Sequence, residues 1–300
     1  MTHSHHHHHH HSAASNIRVA LSLNLAFAAI ELIGGLLTQS VAILSDAVHD
    51  LGDSMSLGLA WYLQEKSQKS SDAKYSYGYR RLSLLSAVFT GVFLLVASIF
   101  ILIETVGRFM DPVQPKAEGM FGLAILGIAV NGYAAWKTSH GASMNEKVIS
   151  WHMIEDLLGW ITILLGSIVM MFIDAPYLDP IMSAGFTIFI LKGVYGTLTE
   201  TIRLFLQGVP VGIDVKDIIE DVNKIHGIQG VHDCHTWSLD GETHVLTMHV
   251  VVPASSTMDD IKKMKELIRN IIDMKGKFHL TIEFESEKED CPDISCVQEH

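Results

Sequence analysis

Apolar residues are concentrated between positions 17 and 206 of this chain, in six separate segments. Each segment can cross a bilayer as a helix, since a span needs about 20 mostly apolar residues. The segments are 17–37, 40–63, 82–107, 118–137, 149–173 and 180–206. Prolines just beyond several segment ends remove a backbone donor and disfavour helix in the residue before them, which supports these limits. The pattern predicts an α-helical membrane domain with six transmembrane helices.

After Gly208-Val209-Pro210 the pattern changes to that of a soluble α+β domain. Amphipathic helices are predicted at 214–225 and 257–274, and strands at 231–238, 244–252 and 278–285. The order helix–strand–strand–helix–strand is compatible with a small ferredoxin-like sheet. We therefore expect three parts. Residues 1–16 are a disordered histidine-rich leader, which is either native or a tag. Residues 17–207 form the transmembrane domain, and residues 208–300 form a cytosolic domain.

The loops on one side of the predicted membrane domain carry more basic residues than those on the other side, which has Arg108 and Lys116. The loops after the second and fourth segments carry Lys66, Lys69, Lys74, Arg80, Arg81, Lys137 and Lys147. The loop between the fifth and sixth segments has only Asp174 and Asp179 as charged residues. The positive-inside rule then places both termini in the cytoplasm. We expect a multi-pass protein of a bacterial cytoplasmic (inner) membrane.

The charge of the chain indicates which kinds of partner it can bind. Charged residues make up 18% of the chain, and the net charge of −12 is carried mostly by the last ninety-odd residues. An acidic soluble part excludes nucleic acid as a partner, because phosphate needs Lys and Arg, and it suits a domain that attracts cations. Cys234, Cys291 and Cys296 are too few for a disulfide framework and are expected to be reduced thiols.

Two predicted spans contain the same pair of metal-binding residue types. His49 and Asp53 in the second span, and His152 and Asp156 in the fifth, are each four residues apart. Residues at this spacing share one helix face, with Cβ atoms roughly 5–6 Å apart. Two nitrogens and two oxygens from adjacent helices suit a tetrahedral Zn²⁺ site.

A single His-x-x-x-Asp pair in a helix is usually an ordinary surface or structural pair. Ionisable residues are costly in a bilayer and are rare there unless they face a cavity and are paired, so two copies favour a metal site. Asp46, Asp50 and Glu155 beside these pairs either orient the ligands or lie at a water-filled mouth. Lys192, midway along the sixth span, either snorkels or faces a cavity.

These residues are part of a longer ordered set that resembles the cation diffusion facilitator family of zinc transporters. The membrane part of the set comprises Glu31-Leu32-Ile33-Gly34-Gly35, Ser40, Ser45-Asp46-Ala47-x-His49-x-x-x-Asp53, Tyr77-Gly78-Tyr79-Arg80-Arg81, Glu104, Arg108, Asn131, His152, Asp156, Asp179-Pro180 and Ser183. The soluble part comprises Gly208-Val209-Pro210, His232-Asp233-x-His235-x-Trp237, His249-Val250 and His279-x-Thr281-Ile282-x-x-Glu285.

The resemblance implies a homodimeric antiporter in a lipid bilayer that exchanges cytosolic Zn²⁺ for protons, with Cd²⁺ or Co²⁺ as further possible cargo. It implies a transport site at His49, Asp53, His152 and Asp156. It also implies a metallochaperone-like cytosolic domain that dimerises and binds regulatory zinc. The residues that match the family's cytosolic zinc ligands are His232, His249, His279 and Glu285; His235, Cys234 and the pair Cys291/Cys296 are weaker candidates.

Proton exchange follows from the ligand chemistry. Zinc binds neutral imidazole and ionised carboxylate, so protons and metal compete for the same side chains. Two other readings remain open from the residues. One is a membrane-embedded zinc hydrolase, with Glu155 or Asp50 as general base; the other is a membrane-anchored metal sensor. Four matched ligands favour transport over an open catalytic site, and a sensor does not explain charge inside the membrane.

Overall fold

The computed structural model describes the backbone of residues 10–139 and 144–289 of the 300-residue chain. Within these ranges the side chains of residues 10–21, 61, 64–65, 137–139 and 144–152 are outside the description. The chain forms two compact units. One comprises the chain up to Leu63 together with Ser86–Leu198, and the other comprises Gln64–Leu85 together with the chain from Thr199 onward.

Six long helices occur where the apolar segments predict them. They are α1 (His10–Thr38), α2 (Val41–Ser67), α3 (Leu82–Met110), α4 (Ala117–Ser139), α5 (Met144–Phe172) and α6 (Leu178–Phe205). Within the described residues, α3 to α6 contain stretches long and apolar enough to span a membrane, and α1 contains a shorter apolar stretch, Ser22–Thr38. Asp46, Asp50 and Asp53 interrupt the apolar character of α2. The predicted fold class, a helical membrane domain followed by a small α+β domain, is confirmed.

A carboxylate on α6 fixes the start of α2. The chain reverses between α1 and α2 at Gln39, which has a positive φ of 61°. Asp179 then accepts hydrogen bonds from the Ser40 hydroxyl (2.5 Å) and from the backbone N–H groups of Val41 (2.7 Å) and Ala42 (3.3 Å). It thereby caps α2 from a neighbouring helix, satisfying donors that a helix N-terminus leaves unpaired. This contact sets the position of α2, and hence of His49 and Asp53, against α6.

Close packing of small and large residues holds the membrane helices together. A Cβ atom on Gly127 of α4 would lie 2.2 Å from the Trp160 ring of α5, so only glycine lets the two helices approach this closely. Trp160 is fully buried and packs against Phe27 of α1, with ring centroids 5.3 Å apart. Small residues at such contacts are the usual means of packing helices in lipid, where no hydrophobic force drives association.

The second unit contains the soluble domain in the predicted order. Its elements are α7 (Val215–Asn223), β1 (Gly230–Ser238), β2 (Thr243–Val252), α8 (Met258–Lys275) and β3 (Lys277–Ser286). β1 pairs antiparallel with β2, and β2 pairs in parallel with β3, so the sheet order is β1-β2-β3. One face packs against α7 and α8 through residues such as Met248, Val250 and Ile268. The other face carries the polar residues of the strands.

Candidate metal sites

His49 and Asp53 lie on one face of α2, as their spacing predicts. His49 Nε2 is 3.5 Å from Asp53 Oδ2, and both side chains are about one-fifth exposed. They line a cavity of ≈650 Å³ together with residues of α3, α5 and α6. The other charged residues that line this cavity are Glu155 and Lys192. Lys192 was predicted either to snorkel or to face a cavity, and it faces this cavity.

Asp156 occupies a more enclosed position than the α2 pair. Its side chain is 4% exposed. On the same α5 helix, a Cβ atom on Gly159 would lie 3.7 Å from Asp46 Oδ1, so the Asp46 side chain of α2 reaches this part of α5. His152 lies one turn before Asp156 in α5, but its side chain is outside the described residues. The described side chains of His49, Asp53 and Asp156 do not by themselves form a close three-ligand group.

Three of the predicted ligands in the soluble domain form a tighter group. His232, His249 and Glu285 each offer a ligand atom, and the three atoms lie within 4.8 Å of one another. His249 Nδ1 is 2.6 Å from Glu285 Oε1, and His232 Nε2 is 3.1 Å from Glu285 Oε2. Ligand atoms around a tetrahedral zinc, with bonds of about 2.0–2.2 Å, are separated by roughly 3.3–3.6 Å. These residue types and distances fit zinc with little movement.

Strand pairing explains why these residues meet. His232 on β1 is paired directly with His249 on β2, and their rings lie 5.3 Å apart. Val251, two residues beyond His249, is paired with Glu285 on β3. Because alternate strand residues point to the same face, His249 and Glu285 share the polar face of the sheet. The three candidate ligands therefore come from three adjacent strands.

The structure does not bring His279 to this group. His279 is paired with Val245, six residues before Glu285 along β3, a distance of roughly 20 Å at about 3.3 Å per residue. Its ring instead contacts Tyr77, with centroids 5.6 Å apart, and it lines a polar cavity with residues of the segment 67–83. The sequence has no signal for this contact, since the two residues are some two hundred positions apart.

Two acidic residues near the cytosolic group are absent from the predicted ligand set. His249 Nε2 lies 3.4 Å from Asp233 Oδ2 and 3.5 Å from Glu283 Oε2. Asp233 also contacts His235, at 2.7 Å from Oδ1 to Nε2. Asp233 has a positive φ of 46° where the β1–β2 register shifts, and this irregularity turns its carboxylate towards His249. An irregular strand residue cannot be assigned to a face from alternation alone.

Cys234 lies on the opposite side of β1 from the histidines. It is buried in the core that α7 and α8 cover. Burial, reinforced by the neighbouring Asp233 carboxylate, raises the pKa of its thiol to about 11. A thiol must be ionised to bind zinc, so Cys234 acts as a core residue. Cys291 and Cys296 are outside the described residues.

Comparison with known proteins identifies the class of this chain. Residues 17–206 match the family model of the cation efflux transmembrane domain, and residues 210–287 match that of the cation efflux protein cytoplasmic domain. The protein is a membrane transporter of divalent metal cations and not an enzyme. It belongs to the cation efflux family, as the resemblance in its motifs predicts. The hydrolase alternative is thereby removed.

Individual relatives cover most of the chain. The "Cadmium, cobalt and zinc/H(+)-K(+) antiporter" of Bacillus subtilis is 34% identical over 87% of this chain and 85% of its own length. The "Metal cation efflux system protein CzcD" of Cupriavidus metallidurans is 29% identical, over 90% and 86%. The "Zinc transporter ZitB" of Pectobacterium atrosepticum is 29% identical, over 99% and 92%.

Proposed function

We propose that this protein exports Zn²⁺ from the cytoplasm in exchange for protons, through a site formed by His49, Asp53, His152 and Asp156. It does so as a homodimer in a bacterial cytoplasmic membrane, with both termini in the cytoplasm. Residues 17–207 form the transporting domain, and residues 208–300 form a cytosolic domain whose zinc site adjusts the transport rate.

The observation that carries this proposal is the placement of His49 and Asp53. An imidazole and a carboxylate 3.5 Å apart line a ≈650 Å³ cavity between predominantly apolar helices. Charged side chains at such depth are costly unless they face water or bind an ion. Asp156, buried on the helix that also carries His152, supplies a further charge to offset that of the metal.

Proton exchange follows from what the ligands must do. A histidine binds zinc only when its ring is neutral, and an aspartate only when it is ionised. When the site opens to the far side of the membrane, protons that enter it displace the metal. When the site opens to the cytoplasm, zinc displaces the protons. Imidazole is suited to this exchange because its reference pKa of about 6.5 lies close to physiological pH.

The ligand set favours zinc and allows two other metals. Two nitrogens and two oxygens suit Zn²⁺ in tetrahedral geometry, whereas sites rich in oxygen favour Mn²⁺. The names of the relatives are consistent with this choice, since they specify zinc or cadmium, cobalt and zinc. We accordingly expect Zn²⁺ as the main cargo, with Cd²⁺ and Co²⁺ also carried. The Bacillus name also includes K⁺ beside H⁺ as a counter-ion.

The cytosolic group of His232, His249 and Glu285 serves regulation. It lies on the polar face of a sheet, outside the membrane helices, so a metal bound there is not on the transport path. The match to the cytoplasmic domain of cation efflux proteins supports an accessory role for this unit. Zinc at this group neutralises acidic charge on the domain and so favours association of two copies, which raises the transport rate at high cytosolic zinc.

Flux into sealed liposomes tests the proposal. The purified protein is reconstituted, a pH gradient is imposed, and Zn²⁺, Cd²⁺, Co²⁺ and Mn²⁺ are offered in turn, with their movement followed by a trapped fluorescent chelator. We expect zinc flux that reverses with the pH gradient and is abolished by a protonophore. Zinc movement that ignores the pH gradient would refute proton exchange, and a preference for Mn²⁺ would refute the proposed selectivity.

A further inference from the structure

A lysine lies in the middle of a membrane helix. Lys192 is on α6 (Leu178–Phe205), about 20 Å from either end of that helix at 1.5 Å per residue. Its four-carbon stem extends over only about one helical turn, so it is too short to bring the ammonium to either end of the helix. A charge at this depth is costly unless it faces a cavity or a partner of opposite charge. Lys192 therefore needs a compensating environment within the membrane domain.

The cavity beside the proposed transport site supplies that environment. Lys192 lines the same ≈650 Å³ cavity as His49, Asp53 and Glu155. Among the described residues, Lys192 makes no ion pair and no hydrogen bond. Its ammonium thus shares a cavity with two carboxylates without being bound to either of them.

Open space around Lys192 leaves its ammonium room to move. Gly193 and Gly196 also line the cavity, and a Cβ atom on either would meet no atom within 4 Å. Lysine combines a flexible stem with a compact charge that donates three hydrogen bonds in any direction. The ammonium can therefore reach different acceptors within one cavity.

A buried hydroxyl on α3 is one such acceptor. Thr90 lines the cavity and is 7% exposed. Its Oγ1 atom has no hydrogen-bond partner among the described residues, although a helical threonine often donates to the carbonyl four residues earlier. Leaving a buried polar atom unpaired is unfavourable, and an ammonium in the same cavity is a suitable donor for it. The cavity thus offers Lys192 a neutral acceptor in addition to the carboxylates.

We propose that Lys192 is a tethered counter-cation of the transport site. Without metal, its ammonium pairs with the Asp53 carboxylate. Zn²⁺ displaces the ammonium, which then donates to the Thr90 hydroxyl. Bound zinc shares the cavity with a positive charge, so it is held less tightly and is released faster. This role rests on the proposed transport site, because it takes Asp53 as a zinc ligand.

The charges in the cavity determine the direction of the effect. Two carboxylates and one ammonium line it, which gives a net charge of −1, and removal of the ammonium would make this −2. At an effective dielectric constant of about 20, repulsion between a unit charge and a divalent ion roughly 10 Å apart changes affinity by at least about tenfold. The repulsion acts alike on all divalent ions, so Lys192 sets affinity and release, whereas the ligands set the choice of metal.

Zinc binding and flux of the full-length protein test the inference. For binding, a parent that carries His232→Ala and His249→Ala is titrated with zinc by calorimetry in detergent at fixed pH, so that the cytosolic group does not contribute. Lys192→Gln should lower the zinc Kd by about tenfold. In liposomes it should lower both the KM for zinc and kcat, because zinc binds more tightly and leaves more slowly.

Two further variants separate charge from packing. Lys192→Arg keeps the positive charge and should keep the zinc Kd of the parent within about threefold. Lys116→Gln removes an exposed lysine just before α4 and is the matched control, which should change the Kd by less than about twofold.

The role of Thr90 is tested by a substitution that keeps every charge. Thr90→Val has nearly the same shape but no hydroxyl, so the displaced ammonium loses its acceptor and the zinc Kd should rise about threefold. In the Lys192→Gln background, Thr90→Val should have no effect on the Kd, because there is no ammonium to accept. Thr90→Val also decides the matter if Lys192→Gln does not fold, since an unchanged Kd would then refute the displacement.

The outcomes separate this inference from the transport proposal. An unchanged or raised zinc Kd in Lys192→Gln refutes the counter-cation. A Lys192→Arg variant that behaves like Lys192→Gln shows that the charge is not the cause and refutes it as well. Independent effects of Thr90→Val and Lys192→Gln refute Thr90 as the acceptor. Zinc binding that persists in Asp53→Ala/Asp156→Ala refutes the transport site instead, whatever the variants of Lys192 do.

Discussion

The two proposed metal sites of this protein differ in their surroundings and in how their ligands are held. In the membrane unit, His49 and Asp53 share one helix, and the cavity they line gives them access to solvent. In the soluble unit, His232, His249 and Glu285 come from three strands and are already within ligand distance of one another.

The difference matches the role that we propose for each site. A transport site must release its metal, so a loose arrangement that tightens and opens with helix movement is an advantage. A regulatory site must hold its metal for as long as cytosolic zinc is high, and ligands fixed by strand pairing need little reorganisation to bind. We therefore expect substitutions in the first site to affect flux, and substitutions in the second to affect zinc occupancy and rate.

The largest effect is expected from the membrane carboxylates. Asp53→Ala or Asp156→Ala removes a ligand and a negative charge that offsets the metal, so zinc flux should fall by more than roughly a hundredfold, since loss of an outer partner alone costs 10–100-fold. Liposome flux at saturating zinc measures this. Asp111→Ala, at an exposed helix end, is the matched control and should transport normally. Strong pH-driven flux in the double variant would refute the site.

A smaller and more specific change is expected when the histidine of α2 is replaced. His49→Asp substitutes a harder oxygen donor for nitrogen, which should shift selectivity from Zn²⁺ towards Mn²⁺. It should also move the pH range of exchange to more acidic values, because aspartate normally titrates near pH 4 and imidazole near 6.5. Metal competition and pH profiles in liposomes measure both effects. Unchanged selectivity and pH profile would show that His49 does not contact the cargo.

Loss of the cytosolic ligands should change binding more than transport. In a full-length protein that already carries Asp53→Ala and Asp156→Ala, His232→Ala with His249→Ala should weaken the remaining zinc binding by at least about tenfold. Calorimetry measures this. His279→Ala in the same background is the matched control, and it should change zinc affinity by less than about twofold because of its distance from the group. Equal losses in both variants would place His279 among the ligands.

The smallest effect is expected at Cys234. Because burial raises the pKa of this thiol to about 11, its reactive thiolate should increase about tenfold per pH unit between pH 7 and 10. Alkylation of a variant with Cys291→Ser and Cys296→Ser, followed by mass spectrometry, measures this dependence. Cys234→Ala should leave zinc affinity unchanged. Rapid alkylation at pH 7 that zinc prevents would instead make Cys234 a ligand.

The sequence by itself determined the elements of this protein and the local part of its sites. The six apolar segments and the two periodicities of the soluble domain predict the eleven helices and strands found in the described residues, although α1 begins seven residues earlier than predicted. His49 and Asp53 were predictable as a pair because a separation of four residues on a helix places side chains together whatever the rest of the fold does. The same argument holds for His152 and Asp156 as positions on α5.

Tertiary structure decided which distant residues meet. His279 matched a family ligand position, yet it lies six residues before Glu285 along β3, too far away to join the group. Asp233 reaches His249 only because the backbone of β1 is irregular at that point. Contacts of this kind depend on register and packing, which a linear pattern does not encode, whereas helix spacing is fixed by the chain itself.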